Sequence, residues 1–481
     1  MKSIGSMGLA TGIRLGLLAT VAGLLGTGCQ TYQQKNKVIA DWQAGNLAAA
    51  TADAKVLADA NANNKDAIIW RLEQGAVLRA AGKYDDSNLA FDQAQGKIDD
   101  YAQKAKVRVG QEAGALLSNQ ANLDYEGRAY DGIMLNTYKA LNYLALGQTD
   151  KARPEIIHAY QRQQDAVEAN KKRIQEAQDA AEKSKDKAVI EKAQNNQVLQ
   201  NQLSTTTGNL TPVKTYADYV NPFTVYLDGL FFMANAADAS DLERAHKSLE
   251  RVTAFAEDND YVKQDLATVD DLIRGKPLPA LTYVIFETGC APERGQVRID
   301  IPIIVSKVSY VGAAFPTLKL NGNYANRLTV ATSGTNAATA LVASIDGVVA
   351  TDFKNELPVI ITKTIVSTVT KAVAAYAIND AARQSGGGDV GLGNNLAGLL
   401  TQAATAVYQI AVNIADERTW TTLPKEFQVA RVPTPADRKI DLTTPNGMKT
   451  SVTIGEGTVN VVYVKSITGQ TPLLVSQFKL K

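Results

Sequence analysis

From about Val38 to Arg274, apolar residues recur at three- and four-residue intervals in a background rich in Ala, Gln, Lys and Leu. That spacing turns one face of each segment inward and predicts a run of amphipathic helices. The pattern also repeats itself at a period near 34 residues. In "AIIWRLEQGAVLRAAGKYDDSNLAFDQAQ", Gly75 and Gly82 stand seven apart, Tyr84 follows the second glycine by two, and Ser87, Phe91 and Ala94 come at helical spacing. In "YKALNYLALGQTDKARPEIIHAY", Ala140, Tyr143, Gly147, Ala152, Ile156 and Ala159 hold the equivalent places. Weaker copies keep Gly45 with Ala50, and Gly229 with Ala245 and Leu249.

Small residues where two helices touch, with an aromatic knob on the second helix, resemble the tetratricopeptide repeat. The resemblance implies an α-solenoid of stacked helix pairs with a groove that holds a protein or peptide; a plain helical bundle is the alternative. Repeats are expected over 38–160 and again over 211–276, packed through Gly75, Gly82, Tyr84, Phe91, Ala94, Gly147, Ala152 and Gly229. Between them, 161–210 is strongly polar with a thin stripe of Val167, Ile174, Ala177, Ala181, Val189, Ile190 and Leu199. It reads as a largely solvated helical arm supported by Glu–Lys pairs.

The period changes after Pro277 and Pro279. Tyr283 and Ile285, then Val297, Ile299 and Ile301, alternate as half-buried strands do. Further strands are expected at 328–331, 427–432, 451–454, 459–465 and 473–480, which gives a mixed α/β domain over 277–481 and an α+β chain overall. Two segments within it, 359–380 and 396–415, are apolar nearly all round. The uncharged 390–415 stretch has the length of a membrane span, but Asn394, Asn395, Gln402, Gln409 and Asn413 recur along it. Unpartnered amides are costly in hydrocarbon, so a buried helix or an oligomer contact is the better reading. The "SGGGDVGLGNN" loop lacks the strand before it and the Lys–Ser/Thr pair after it that a phosphate loop needs.

Charge and composition narrow the classes. Fifty basic residues against 49 acidic ones give no general electrostatic case for nucleic acid. Two histidines, His158 and His246, and two cysteines, Cys29 and Cys290, argue against a metal centre, and no cofactor is expected. The front end is more specific. Lys2 and Arg14 precede an apolar run, Leu15 to Leu25, of signal-peptide length, followed by Gly26, Thr27, Gly28 and Cys29. Small residues before a cysteine resemble the lipobox of bacterial lipoproteins, with Gly26 where leucine is usual. The resemblance implies removal of 1–28, acylation of Cys29 and a polar tether over 29–37. Gln30, rather than Asp, implies delivery to the outer membrane, with the chain facing the periplasm. Ordinary secretion, with Cys29 free or bridged to Cys290, is the competing reading.

The most distinctive stretch is "FETGCAPERGQVRIDIP", with Phe286, Glu287, Thr288, Gly289, Pro292, Glu293 and Arg294. With "NPFTVYLDG" and "ADERTWTTLPKEFQVARV" it resembles a family of uncharacterised bacterial lipoproteins that have a TPR-like first half. Cys290 is this chain's departure from that motif. The resemblance implies a cell-envelope role linked to peptidoglycan synthesis and names no activity. Read from the residues alone, the motif is a polar turn between strands. Glu287, Glu293, Arg294 and Arg298 are expected to form an ion-pair cluster, with Asp416, Arg418 and Trp420 beside it. Acid–arginine clusters are common structural devices, so a salt-bridged turn is preferred to a ligand site. The leading expectation is a non-enzymatic scaffold, anchored by lipid and holding an envelope protein or peptide in its helical groove. An enzyme using Cys290, or Glu287 with Glu293, and an oligomeric ring or channel component are the alternatives.

Overall fold

Gly45, Gly82 and Gly147 have φ of 76°, 74° and 71°. Side chains other than glycine rarely adopt that left-handed conformation, and each glycine sits where one helix stops and the next begins. The computed structural model describes residues 35–107, 121, 123–210, 213–216, 219–305, 308–384 and 414–481. Its helical half runs through α1 (35–43), α2 (Leu47–Ala60), α3 (Ala67–Ala80), α4 (Tyr84–Val107), α5 (Ala129–Ala145), α6 (Thr149–Glu182), α7 (Lys187–Gln194) and α8 (Gln197–Thr207). It continues with α9 (Pro222–Asn235), α10 (Ala239–Phe255) and α11 (Asp260–Ile273). Consecutive helices pack as hairpins: α3 on α4, α5 on α6, α9 on α10.

The glycines within the helices explain the close approach. A Cβ on Gly75 would lie 2.3 Å from Cε1 of Phe91, and one on Gly229 would lie 2.7 Å from Cγ of Leu249. Phe91, Ala94 and Ala152 are fully buried as expected, whereas Tyr84 is half-buried. The "NPFTVYLDG" stretch also has a local rationale. Asn221 caps α9 through Phe223 and Thr224 N–H groups, Pro222 occupies the first turn, and Asp228 receives Arg244 and Ser248 from α10.

The second half holds β1 (Leu281–Thr288), β2 (Glu293–Val305), β3 (Val308–Lys319), β4 (Thr329–Ala331), β5 (Asn336–Ala338) and β6 (Ala340–Ser344). Helix α12 (Ile345–Gln384) follows, and then β7 (Glu426–Pro433), β8 (Lys439–Thr443), β9 (Lys449–Thr453), β10 (Val459–Ser466) and β11 (Leu474–Lys479). A five-stranded sheet has the order β11-β10-β1-β7-β6, with β1 and β10 parallel and the other pairs antiparallel. A four-stranded sheet has the order β5-β4-β8-β9, and β2 with β3 forms a long hairpin.

The five-stranded sheet is buried on both faces, which makes β1 and β10 continuously buried rather than alternating. One face, with Tyr283, Ile285, Val461 and Tyr463, shares a single core with Ile68, Phe91, Tyr138, Phe223 and Tyr226 of the helices. The other face, with Val284, Phe286, Val462 and Val464, packs on Leu328, Ile440 and Leu442 of the four-stranded sheet. The Phe223 and Phe427 rings stack 3.8 Å apart across the junction. Each such fully buried side chain contributes about 1.5–3 kcal/mol. The helix faces expected to leave a groove for a partner are therefore covered by the chain's own sheet, and the 38–276 and 277–481 segments share their core.

Two further expectations are corrected. The 161–210 stretch is largely solvated but does not project as an arm: Ala181, Ile190, Ala193, Leu199 and Leu203 form a second core with Ile299, Ile301 and Phe315 of the hairpin and Ile365, Val366 and Val369 of α12. That contact buries Ile365, Val366, Val369 and Ala372 of the apolar 359–380 stretch. Helix α12 starts earlier, at Ile345, and its first turns enter the main core through Val348, Val349 and Phe353 while its later turns enter the second. The tether also ends earlier, because residues 35–37 are helical and Lys37 pairs with Asp53 at 2.8 Å. The leader, Cys29 and most of the 390–415 stretch lie outside the described residues. Among the described residues, no helix is long and apolar enough to cross a membrane.

Candidate functional site

The helix-facing side of the parallel pair is apolar along most of its length and turns polar at its carboxyl end. Glu287 and Lys465 are register partners on β1 and β10, one residue before each strand finishes. Both are buried, and Lys465 bonds to Oε1 of Glu287. Tyr138 of α5 donates to the same oxygen at 2.8 Å, and Tyr463 donates to Oε2. Burial alone would raise the Glu287 carboxyl, but Lys465 and Arg79 outweigh it and hold the group below the usual carboxylate range. The Tyr138 and Tyr463 hydroxyls are pushed well up, by burial first and the Glu287 charge second, so they remain donors.

Arg79, in the last turn of α3, completes the wall. Its guanidinium lies 4.7 Å from the Tyr463 ring centre and 5.2 Å from that of Tyr138. Nη1 donates to Asn142 Oδ1 at 2.7 Å. Asn142 in turn donates to Ser87 Oγ, and Ser87 donates to the Gly75 carbonyl, so the close α3–α4 contact fixes the arginine. These groups line a cavity of about 340 Å³ between the α3–α4 turn and β10–β11, closed by Tyr84, Ala80, Gly82, Leu474 and Ser476. Its size is at the small end of ligand pockets.

The predicted motif cluster does not assemble as one site. Glu287 faces this cavity, whereas Arg294 points to α12 and pairs with Glu356 at 2.8 Å. Arg298 is exposed, and Glu293 is half-buried and does not line the cavity. They are separated because Glu287 lies on β1 of the five-stranded sheet, whereas Glu293, Arg294 and Arg298 lie on β2 of the separate hairpin. Phe286 belongs to the opposite core, and Thr288 donates to the Ala325 carbonyl at 2.9 Å. Gly289 has φ of 75°, and a Cβ there would meet Lys425 Cβ at 2.7 Å. Ala291 N–H bonds the Leu423 carbonyl and Lys425 N–H bonds the Thr288 carbonyl, so the two motifs pack backbone to backbone. Pro292 is buried at that turn.

Asp416, Arg418 and Trp420 do come close to the helices, but not to Glu287's charge. Arg418 bridges Asp416 at 2.7 Å and Asp66 at 3.0 Å. Trp420 is fully buried, 5.8 Å edge-on to both Phe91 and Tyr138. Beside it, buried Glu73 of α3 accepts four hydrogen bonds from the backbone and hydroxyls of Thr421 and Thr422, at 2.6–3.1 Å. Cys290 is buried, its thiol donates to the Ile467 carbonyl at 3.4 Å, and burial pushes it up to about 11. His246 lies on α10 beside Asp270 at 3.2 Å, and His158 is exposed.

A second buried charge cluster lies at the α5–α12 contact. Arg128 pairs with Glu356 and Asp416, and Arg294 joins at Glu356. Burial opposes it, but Arg128 and Arg294 hold the Glu356 carboxyl down to about 2. Burial and then the Glu356 charge push Asp352 well up, and Asp131 is pushed up to about 6 by burial. Sequence reasoning missed Arg79, Tyr138, Tyr463 and Lys465, which come from three distant segments. The available signal was a charge inside an apolar run: Lys465 ending "VNVVYVK" and Arg79 ending "GAVLR". Compared with family models, with curated proteins and with solved structures, the chain matches none.

Proposed function

We propose that this chain is a lipid-anchored binding protein of the bacterial envelope, held to the outer membrane through Cys29 and facing the periplasm. In this reading its helix pairs are TPR-like and take a protein or peptide partner, not in an open groove but at the seam where the α3–α4 turn meets β10 and β11. One observation carries the choice of binding over catalysis. The cavity's charged groups are each held in place by fixed neighbours, with Glu287 ionised and saturated by Lys465, Tyr138 and Tyr463. A general acid needs a carboxyl raised toward neutrality, and a thiol nucleophile needs a lowered one; Glu287 and Cys290 are shifted in the opposite directions.

The anchor is supported by the Leu15–Leu25 run and the small residues before Cys29. Three acyl chains hold a protein at a bilayer far more firmly than one. Mass spectrometry of the amino-terminal peptide tests it. The expected species begins at Cys29 and carries the mass of a diacylglyceryl group and an amide-linked acyl chain, and Cys29→Ser shifts the protein from the membrane to the soluble fraction. An unmodified Cys29, or a leader still attached, overturns the anchor. For the partner, immobilised full chain and its cavity-filled variant Ala80→Trp are compared. An envelope protein retained by the first and not by the second supports the seam, and equal retention by both refutes it.

A further inference from the structure

The seam cavity carries more positive charge than its own residues neutralise. Of its charged lining groups, Lys465 is taken by Glu287, and among the described residues Arg79 makes no ion pair although only 8% of it is exposed. Arg79 feels the Glu287 charge but does not contact it, and Glu287 is already bonded to Lys465, Tyr138 and Tyr463; the guanidinium's planar fork matches a further carboxylate. The second feature is the wall that faces Arg79. It is made by Leu474, Val475 and Ser476 of β11, the edge strand of the five-stranded sheet, which among the described residues pairs only with β10. An open strand edge offers main-chain donors and acceptors to an extended segment.

Resting on the binding reading above, we infer that the cavity receives the terminal carboxylate of an extended peptide, with Arg79 meeting the carboxylate and β11 pairing with the peptide backbone. The small volume admits a chain end and one short side chain rather than a folded surface, and the half-buried Tyr84 is part of its lining. A carboxylate fits better than a cation, because the lining's formal charge is two positive groups against one negative.

The test uses detergent-solubilised full chain and two pools of randomised hexapeptides, one with free carboxyl ends and one amidated, with bound peptide read by mass spectrometry after gel filtration. The expected result is at least a tenfold excess of acid over amide peptides. Arg79→Met is expected to abolish the excess, and Arg79→Lys to keep part of it. Since Arg79 is buried, Ala80→Trp, which fills the cavity from a partly exposed lining position, serves as the second variant and is expected to lose both pools. Peptides recovered from the acid pool are then remade with N-methylated amides, which is expected to weaken them at least tenfold. Equal retention of acid and amide pools, retention of neither, or no effect of N-methylation overturns the inference. So does N-acetylvaline binding as tightly as the peptides, which would make the site one for small free acids. If these fail while Ala80→Trp still abolishes partner retention, the carboxylate assignment falls and the seam as a binding site stands.

Discussion

Two glycines seven residues apart carry different physical loads, and Gly75→Ala separates them. A Cβ on Gly75 would meet Phe91 at 2.3, 2.6 and 2.7 Å, against an ordinary carbon contact of about 3.5–4.0 Å. The ring must retreat by more than about 1 Å, yet it is fully buried, 6.2 Å from the Tyr138 ring and 5.8 Å from that of Trp420. Overpacking of this kind costs about 1–3 kcal/mol, and the pinned ring puts this site at the upper end. The gain in helix propensity on replacing Gly by Ala returns about 0.5–1 kcal/mol, so the net loss expected is about 2 kcal/mol. Gly82 has nothing within 4 Å of its Cβ position but a φ of 74°, so Gly82→Ala costs only backbone strain, about 1–2 kcal/mol. Phe91→Leu removes the clashing ring edge. It is expected to recover at least about 1 kcal/mol from Gly75→Ala in a double-mutant cycle and nothing from Gly82→Ala. Urea unfolding followed by far-ultraviolet circular dichroism and tryptophan fluorescence reads all of these. A Gly75→Ala protein within about 0.5 kcal/mol of the parent, or strict additivity with Phe91→Leu, refutes the packing argument.

Three other outcomes follow. Asp131 is raised from 3.8 to about 6, and Asp352 is raised as well. Raised groups give stability that is full below the unfolded-state value and lost as pH rises through the folded one. Stability is therefore expected to fall between pH 4 and 7 by about 3 kcal/mol for Asp131, with a further fall that Asp352→Asn removes. Glu356, held near 2, works the other way: its contribution is present above the ordinary carboxylate range and is lost as pH falls toward 2. Urea midpoints across pH read both, and a flat profile in the parent contradicts them. Glu73→Gln replaces one acceptor facing Thr422 with a donor and is expected to cost about 1–3 kcal/mol, read by the same unfolding assay. Cys290 is expected to react with iodoacetamide at least ~100-fold more slowly than free cysteine at neutral pH, measured in a Cys29→Ser background.

The hairpin glycines, the buried aromatic knob and most strands of the second half were legible because period and turn chemistry are local. Gly45, Gly82 and Gly147 sit at turns with positive φ, as their spacing indicates. The relation between the halves was not legible. Nothing in "TWTTLPKEF" announces that Thr421 and Thr422 capture Glu73, 348 and 349 residues away. The thin stripe of 161–210 looked too sparse for a core, because its partners, Ile299, Phe315 and Ile365, lie in distant segments further along the chain. The ion-pair cluster around Glu287 failed for a simpler reason. A polar turn between strands suggested that its charges meet, whereas β1 and β2 enter different sheets, so Glu287 faces the cavity and Arg294 faces α12.

Site-specific photocrosslinking in intact cells bears most directly on the seam as the working surface. Benzoylphenylalanine is placed at Tyr84, in the cavity lining, and at the exposed Val198 on α8 as a control. A discrete adduct from position 84, absent from position 198 and lost in Ala80→Trp, is the predicted result. No adduct from position 84, or the same ladder from both positions, contradicts the account.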